Sequence, residues 1–274
     1  MGHSSLKDPV IERSIFDHAP AQIEDSSQLL TRDQLLGKLH AIGAERYHHR
    51  HPFHLLMHEG KLTRGQIQAW VLNRFYYQQM IPIKDSIILS RGDAEFRRAW
   101  LKRIVDHDGS GQGTGGIDAW LLLAETCGLD RAVVASCEHV LPGTRFAVDS
   151  YLPLVSDGPF LQAVASSLTE LFSGKLIALR MEFLNQHYPW LSEGLKYFKA
   201  RLTQSREDAE FAFAYVFEHA RTREDQELIA KALTRKCDIL WAQLDALYHA
   251  YVNPGHLPPG AMRFEETPRS EETK

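Results

Sequence analysis

From Thr31 to Val252 the apolar residues recur at intervals of three and four, and no stretch alternates with period two long enough to make a strand. That single regularity excludes sheets and barrels and leaves an all-α chain built from many helices. Thr31 and Gln34 form a capping-box pattern before Leu35, Leu39 and Ile42, with Gly43 as a stop; Thr63 and Gln66 repeat it before Ile67, Trp70, Val71 and Phe75. Pro82 is expected to interrupt that second helix. Phe96, Trp100, Ile104 and His107 mark one face of the next, and further helices are predicted over about 117–127, 131–140, 145–155, 159–188, 192–203, 206–220 and 223–252. Residues 1–26 read as a flexible N-terminal segment, 27–252 as a single helical domain, and 253–274 as a polar, solvated C-terminal tail.

Composition narrows the function. A formal charge of −4 gives no basic surface for nucleic acid. Apolar runs such as 119–124 are far too short to cross a bilayer, and the first residues lack a signal-peptide core. Three cysteines, with no Cys-x-x-Cys pair, point to a reduced cytoplasmic protein without disulfides or a thiolate zinc site.

Chemistry in such a chain is read from polar residues standing in apolar stripes. Lys236 interrupts the stripe Ile229, Leu233, Leu240, Leu244, Leu247 and Tyr251, so it either snorkels to the edge or is buried beside an anion. Arg74 and Gln78 interrupt the stripe of Ile67 and Val71, with Lys84 beyond Pro82, which suggests a pocket wall. His107 ends a helix before a glycine-rich loop, where taken alone it reads as a partner of the helix dipole. Glu170 lies among the small residues Ala163, Ser167 and Gly174. Tyr197 and Arg201 share a face one turn apart, as a surface contact or as part of a site.

Other motifs fail on context. Gly111 to Gly116 spells G-x-G-x-x-G but follows a helix, so it reads as a lid or connector. The histidines 48, 49, 51, 54 and 58 could ligate metal, yet Glu45–His48 is the one Glu-x-x-His where a di-iron bundle needs two. No Gly-x-Ser-x-Gly, Walker loop or His-Glu-x-x-His occurs. An apolar helical interior punctured by Lys, Arg, His, Gln, Tyr and one Glu suits a compact carboxylated small molecule, with proton transfer as its chemistry.

The strings Arg46-Tyr-His-His-Arg-His-Pro-Phe-His, Asn73-Arg-Phe-Tyr-Tyr-Gln78, Ile81-Pro-Ile-Lys-Asp85, Ile104-Val-Asp-His-Asp-Gly109, Arg145-Phe-Ala-Val-Asp-Ser-Tyr151, Ser166-Ser-Leu-Thr-Glu-Leu-Phe172 and Lys236-Cys-Asp-Ile-Leu-Trp241 together resemble the pyrroloquinoline-quinone (PQQ) synthase family. The resemblance spans about residues 32–252. It implies a haem-oxygenase-like (TENA-like) helical bundle, a homodimer, and an oxidase that needs neither metal nor redox cofactor. The implied reaction is the last step of PQQ biosynthesis. A bicyclic quinone precursor bearing several carboxylates undergoes ring closure and an eight-electron oxidation by O2, with release of H2O2 and PQQ as the bound product. By resemblance, Tyr47, His48, Arg74, Gln78, Lys84, Arg180 and Lys236 surround the carboxylates and quinone oxygens, and His107 is the general base. Tyr151, Thr169 and Glu170 are neighbouring pocket residues, and Tyr197 and Arg201 handle oxygen and peroxide. Two positions depart from the pattern. Ile177 stands where the family carries a histidine seven residues after the glutamate, and the glycine-rich loop holds no histidine. The alternatives are a related di-iron oxidase recruiting residues 48–58, a non-catalytic protein that only sequesters PQQ or its precursor, and a thiaminase-like enzyme, for which Cys237 is a poor nucleophile.

Overall fold

The structure is a computed structural model that describes residues 28–111 and 114–264. Its helices are α1 (Arg32–Arg46), α2 (Pro52–His58), α3 (Arg64–Arg91), α4 (Ala94–Asp108), α5 (Gly115–Thr126), α6 (Arg131–Ser136), α7 (Pro142–Asp149), α8 (Tyr151–Ser156), α9 (Phe160–Ala165), α10 (Glu170–His187), α11 (Lys196–His219) and α12 (Arg223–Tyr251), with 3-10 turns at His48–Arg50 and Pro189–Leu195. No strand occurs among the described residues, as the unbroken helical period requires. Both capping boxes form: Thr31 Oγ1 accepts from Gln34 N at 3.3 Å and Gln34 Oε1 accepts from Thr31 N at 2.9 Å, and Thr63 and Gln66 do the same. A third, at Thr222 and Asp225, opens α12.

The long helices α3 and α12 pack against each other. α3 also packs on α4 and α5, α12 on α1 and α7, and α10 against α11. Apolar faces bury two neighbouring clusters. One is centred on Phe96, Trp100, Phe172 and Leu233, the other on Phe53, Trp70, Trp120 and Leu184.

Several predicted boundaries move. Pro82 does not interrupt α3, which runs through it from Arg64 to Arg91. The proline removes one backbone donor, but Ile81, Pro82, Lys84, Asp85 and Ile88 are all buried and Ser86 Oγ donates to Pro82 O at 2.8 Å, so packing outweighs the local break. The segment predicted as one helix over 159–188 divides at Ser166–Thr169. There Ser167 N, Leu168 N and Glu170 N bond the carbonyls of Val164, Ala165 and Ser167 in tight i→i−3 turns, assisted by Ser166 Oγ donating to Ala163 O at 2.6 Å. The stretch 145–155 likewise divides into α7 and α8, whereas 192–203 and 206–220 merge into α11, where Ser205 Oγ donates to Arg201 O at 2.7 Å and carries the helix on. Residues 253–264, read as the start of a solvated tail, instead fold back. Leu257, Ala261, Met262 and Phe264 pack half-buried on the second cluster, and Tyr251 OH donates to Met262 O at 3.0 Å. The segment expected to be flexible at 1–26 and the end of the tail lie outside the described residues.

Candidate active site

Between α3, α10 and α11, roofed by the His48 turn and floored by α4 and α5, lies a cavity lined by polar and apolar side chains. Ten of the thirteen residues singled out from the sequence line it: Tyr47, His48, Arg74, Gln78, His107, Thr169, Glu170, Arg180, Tyr197 and Arg201. The break after α9 explains part of this convergence. It starts α10 at Glu170, so the carboxylate sits in the first turn, where the helix dipole favours it.

Glu170 belongs to a buried charge array. Its carboxylate lies 3.0 Å from Arg201 Nη2 and 3.8 Å from Arg103. Arg103 and Arg201 both reach Asp208, at 2.9 and 3.1 Å. Arg103 also contacts Asp85 at 3.3 Å, and Asp85 accepts from Lys84 Nζ at 2.6 Å. Burial alone would raise the Glu170 pKa; Arg201 and Arg103 outweigh it and hold the group down at about 2. Burial likewise opposes ionisation of Arg103, but Asp85, Asp208 and Glu170 keep it firmly cationic. Three cations and three carboxylates balance here.

Arg74 and Arg180 stand outside that balance. Neither makes an ion pair with a carboxylate among the described residues. Arg74 donates to Gln243 Oε1 at 3.2 Å and lies over the Tyr77 ring at 3.9 Å. Arg180 Nη2 lies 3.2 and 3.3 Å from the two ring nitrogens of His54, and its pKa is lowered to about 10 by burial, with Arg74 adding repulsion. Two guanidiniums facing one cavity without carboxylate partners have the chemistry to receive an anion.

His107 is 2% exposed. Its Nδ1–H donates to Arg103 O at 3.0 Å, so Nε2 carries the lone pair, and Nε2 has no partner among the described residues. Burial, then the Arg201 charge, lower its pKa to about 4. The imidazole is therefore neutral at pH 7 and able to accept a proton. Gly116 of α5 lies against it: a Cβ there would come within 3.3 Å of the Tyr197 ring and 3.5 Å of His107 Cδ2. Tyr197 OH donates to Gln78 Oε1 at 2.9 Å.

Lys84, Tyr151 and Lys236 are not on the cavity wall but in a layer behind it. Lys236 is neither snorkelling nor beside an anion: it is 1% exposed, bonds Tyr77 OH at 2.7 Å and lies 3.3 Å from the centre of the Tyr151 ring. Burial, with Lys84 and Arg74 nearby, pushes its pKa well below the ordinary lysine value. Tyr77 stands between it and the cavity. Lys84 donates to Asp85 and to Ser167 Oγ at 3.0 Å, and its pKa falls to about 8, mainly through burial. Tyr151 OH bonds Ser166 O at 3.3 Å.

Sequence reasoning did not single out Tyr77, Arg103, Asp85, Asp208, Trp70 or Trp120 as site residues. Asp85 lies next to Lys84, and Arg103 stands one turn before His107, so charged residues inside a stripe were the available signal. Ile177 lines the cavity together with Trp70, Trp120 and Phe198, which belong with it to the second apolar cluster. Among the described residues no three His, Cys, Asp or Glu side chains converge to hold a metal ion, and no helix is long and apolar enough to cross a membrane.

A helical bundle closed round a cationic, partly apolar chamber defines the class of protein, and solved structures share the architecture. The chain is similar to a domain of unknown function with a heme oxygenase-like fold from Shewanella denitrificans, with a TM-score of 0.70 and 16% identity over 86% of this chain and 100% of that one. A TenA homologue from P. horikoshii gives a TM-score of 0.64 and 11% identity, covering 78% of this chain and 98% of that one. The chain belongs to the TENA/THI-4/PQQC family, which it matches over residues 36–246. It is 56% identical over 241 residues to the pyrroloquinoline-quinone synthase of Granulibacter bethesdensis, covering 87% of this chain and 94% of that protein. It is 54% identical over 236 residues to that of Gluconobacter oxydans, covering 85% and 98%.

Proposed function

We propose that this chain is the oxidase of the final step of PQQ biosynthesis, cytoplasmic and homodimeric, working on a bicyclic polycarboxylate precursor with O2 and without metal or redox cofactor. The observation that carries the reading is the pair of guanidiniums, half-buried Arg74 and buried Arg180, that lack carboxylate partners among the described residues and share a cavity with an unpartnered, neutral His107 Nε2. The identity to relatives named pyrroloquinoline-quinone synthase supports the substrate class.

In this reading the substrate's carboxylates bind Arg74 and Arg180, while Tyr47, His48, Gln78 and Thr169 hydrogen-bond its remaining oxygens. His107 Nε2 takes a proton from carbon, and the electrons leave through the quinone to O2. Bound carboxylates favour the imidazolium and raise His107 from its depressed value toward the working pH. Glu170 and Arg201 fix one end of the chamber, and Tyr197 and Arg201 face the oxygen and peroxide beside the apolar residues that line the cavity with Ile177. Lys84, Tyr151 and Lys236 act from behind, with Lys236 holding the Tyr77 hydroxyl. The substrate carries its own redox chemistry, so the protein's task is binding, orientation and proton transfer.

His54, the central histidine of the 48–58 cluster, has Nδ1 committed to His48 O at 2.9 Å and a guanidinium against the ring. A cation at that place argues against a di-iron site. The test is oxidation of the precursor by chelator-treated protein, followed by O2 uptake. Full activity supports the proposal; activity restored only by iron selects the di-iron reading, and binding without turnover selects a sequestering protein.

A further inference from the structure

Behind the cavity wall is a second, smaller chamber, bounded by His48, Asn73, Arg74, Thr144, Arg180 and Gln243 and closed by Leu244 and Leu247. His48, Arg74 and Arg180 belong to both chambers, so whatever fills the second touches the groups that face the first. It has room for about one water molecule. Three of its side chains carry a buried polar atom with no hydrogen-bond partner among the described residues: Thr144 Oγ1, His48 Nδ1 and Arg180 Nε. Asn73 is spent on its own neighbours, its Oδ1 accepting from Leu141 N and its Nδ2 donating to Ala69 O. Gln243 Nε2 donates to Ile239 O, which turns Gln243 Oε1 toward Arg74.

We infer that this chamber is a water-binding site, and that Thr144, on α7, is a positioning residue that acts through the bound water on His48 and Arg180. One water-sized space lined by three side chains that each carry an unpaired polar atom is the composition that makes a buried water favourable, since each atom would otherwise carry its full desolvation cost. The water accepts from Arg180 Nε–H and exchanges hydrogen bonds with Thr144 Oγ1 and His48 Nδ1. Where His48 Nδ1 donates to it, His48 Nε2 is left as an acceptor, so the water also sets the imidazole's tautomer. Thr144 itself does not line the substrate cavity. The site fixes two members of the anion-binding wall from the side away from the ligand, much as outer groups orient metal ligands.

The water half of this inference is independent of the proposed reaction; the effect on affinity rests on PQQ as the product. A crystal structure of the intact protein at high resolution tests the first half. Density for one water bonded to Thr144, lost in Thr144→Val with the surrounding helices unmoved, is the expected result; a dry chamber overturns the inference. PQQ titration, with wild type, Thr144→Val and Thr144→Ser compared, tests the second. Valine keeps the shape and removes the hydroxyl, so affinity falls roughly tenfold, as for a lost hydrogen bond to a charged group, while serine restores it to within about twofold. Equal weakening by valine and serine assigns Thr144 to packing and overturns its positioning role, as does unchanged affinity in the valine variant. Wild-type protein that does not bind PQQ refutes the reaction proposed above, and the water site then stands or falls on the crystal structure.

Discussion

Replacing Arg180 by methionine moves two quantities in opposite directions. Arg180 is 6% exposed, and burial chiefly lowers its pKa from the ordinary arginine range to about 10. At about 1.4 kcal/mol per pKa unit, the charged form carries roughly 3 kcal/mol of unfavourable free energy in the folded state. Because the folded value lies below the unfolded one, that burden acts throughout neutral pH and is relieved only as the pH climbs through about 10. Methionine removes it while filling most of the space. Lost contacts with His54 at 3.2 Å and the Trp70 face at 5.9 Å return about 1–2 kcal/mol. The net expectation is an unliganded protein about 1–2 kcal/mol more stable, a rise of roughly 2–8 °C in melting temperature. PQQ binding, in contrast, loses a charge-assisted hydrogen bond of about 1.5–3 kcal/mol, roughly ten- to 150-fold in Kd. Calorimetric melting and fluorescence titration of the same preparation read both. A less stable variant with unchanged PQQ affinity would falsify the assignment of Arg180 to the anion site and make it a structural cation.

His107→Ala should leave precursor affinity within roughly tenfold, about 1.4 kcal/mol, and stall proton removal, leaving a quinone spectrum distinct from that of PQQ; wild-type single-turnover kinetics would move the base elsewhere. The buried histidines also predict acid sensitivity. His58 and His107 have folded values of about 3 and 4 against an ordinary 6.5, both lowered first by burial. The unfolded chain therefore takes up protons first as pH falls below 6.5, and stability present above that value is lost toward 4, by about 2 kcal/mol per group at pH 5. A melting temperature that stays flat between pH 7 and 5 would contradict their burial as neutral rings. Lys236→Met should weaken PQQ binding less than Arg180→Met does, because Tyr77 stands between Lys236 and the cavity; a larger loss would place the ammonium in direct contact with the ligand.

Interrupted stripes carried much of the site because a polar residue at a buried helical position needs a partner, and Arg74, Gln78, His107 and Lys236 all prove buried or half-buried. Lys236 marks the limit of that logic. Periodicity placed it inside the protein, but a hydroxyl and an aromatic face, not an anion, receive it, and those come from α3 and α8, far away in sequence. Boundaries failed where tertiary packing beat local preference, as at Pro82, or where a serine hydroxyl assisted a break in a continuous apolar period, as at Ser166. Asp208 escaped notice because its ion pair with Arg103, on α4, has no signature in α11 alone. Ile177 was legible as a departure from the family pattern, and its place on the cavity wall required the structure.

The central claim is that this cavity oxidises a polycarboxylate quinone precursor with O2. Enzyme in excess, loaded anaerobically with the precursor and then mixed with O2, tests it in one turnover. The account predicts a stable complex before mixing, then consumption of O2, release of H2O2 and the growth of the PQQ spectrum at a rate that chelators do not change. A complex that forms and persists unaltered under O2 would contradict it and leave a binding protein in place of an oxidase.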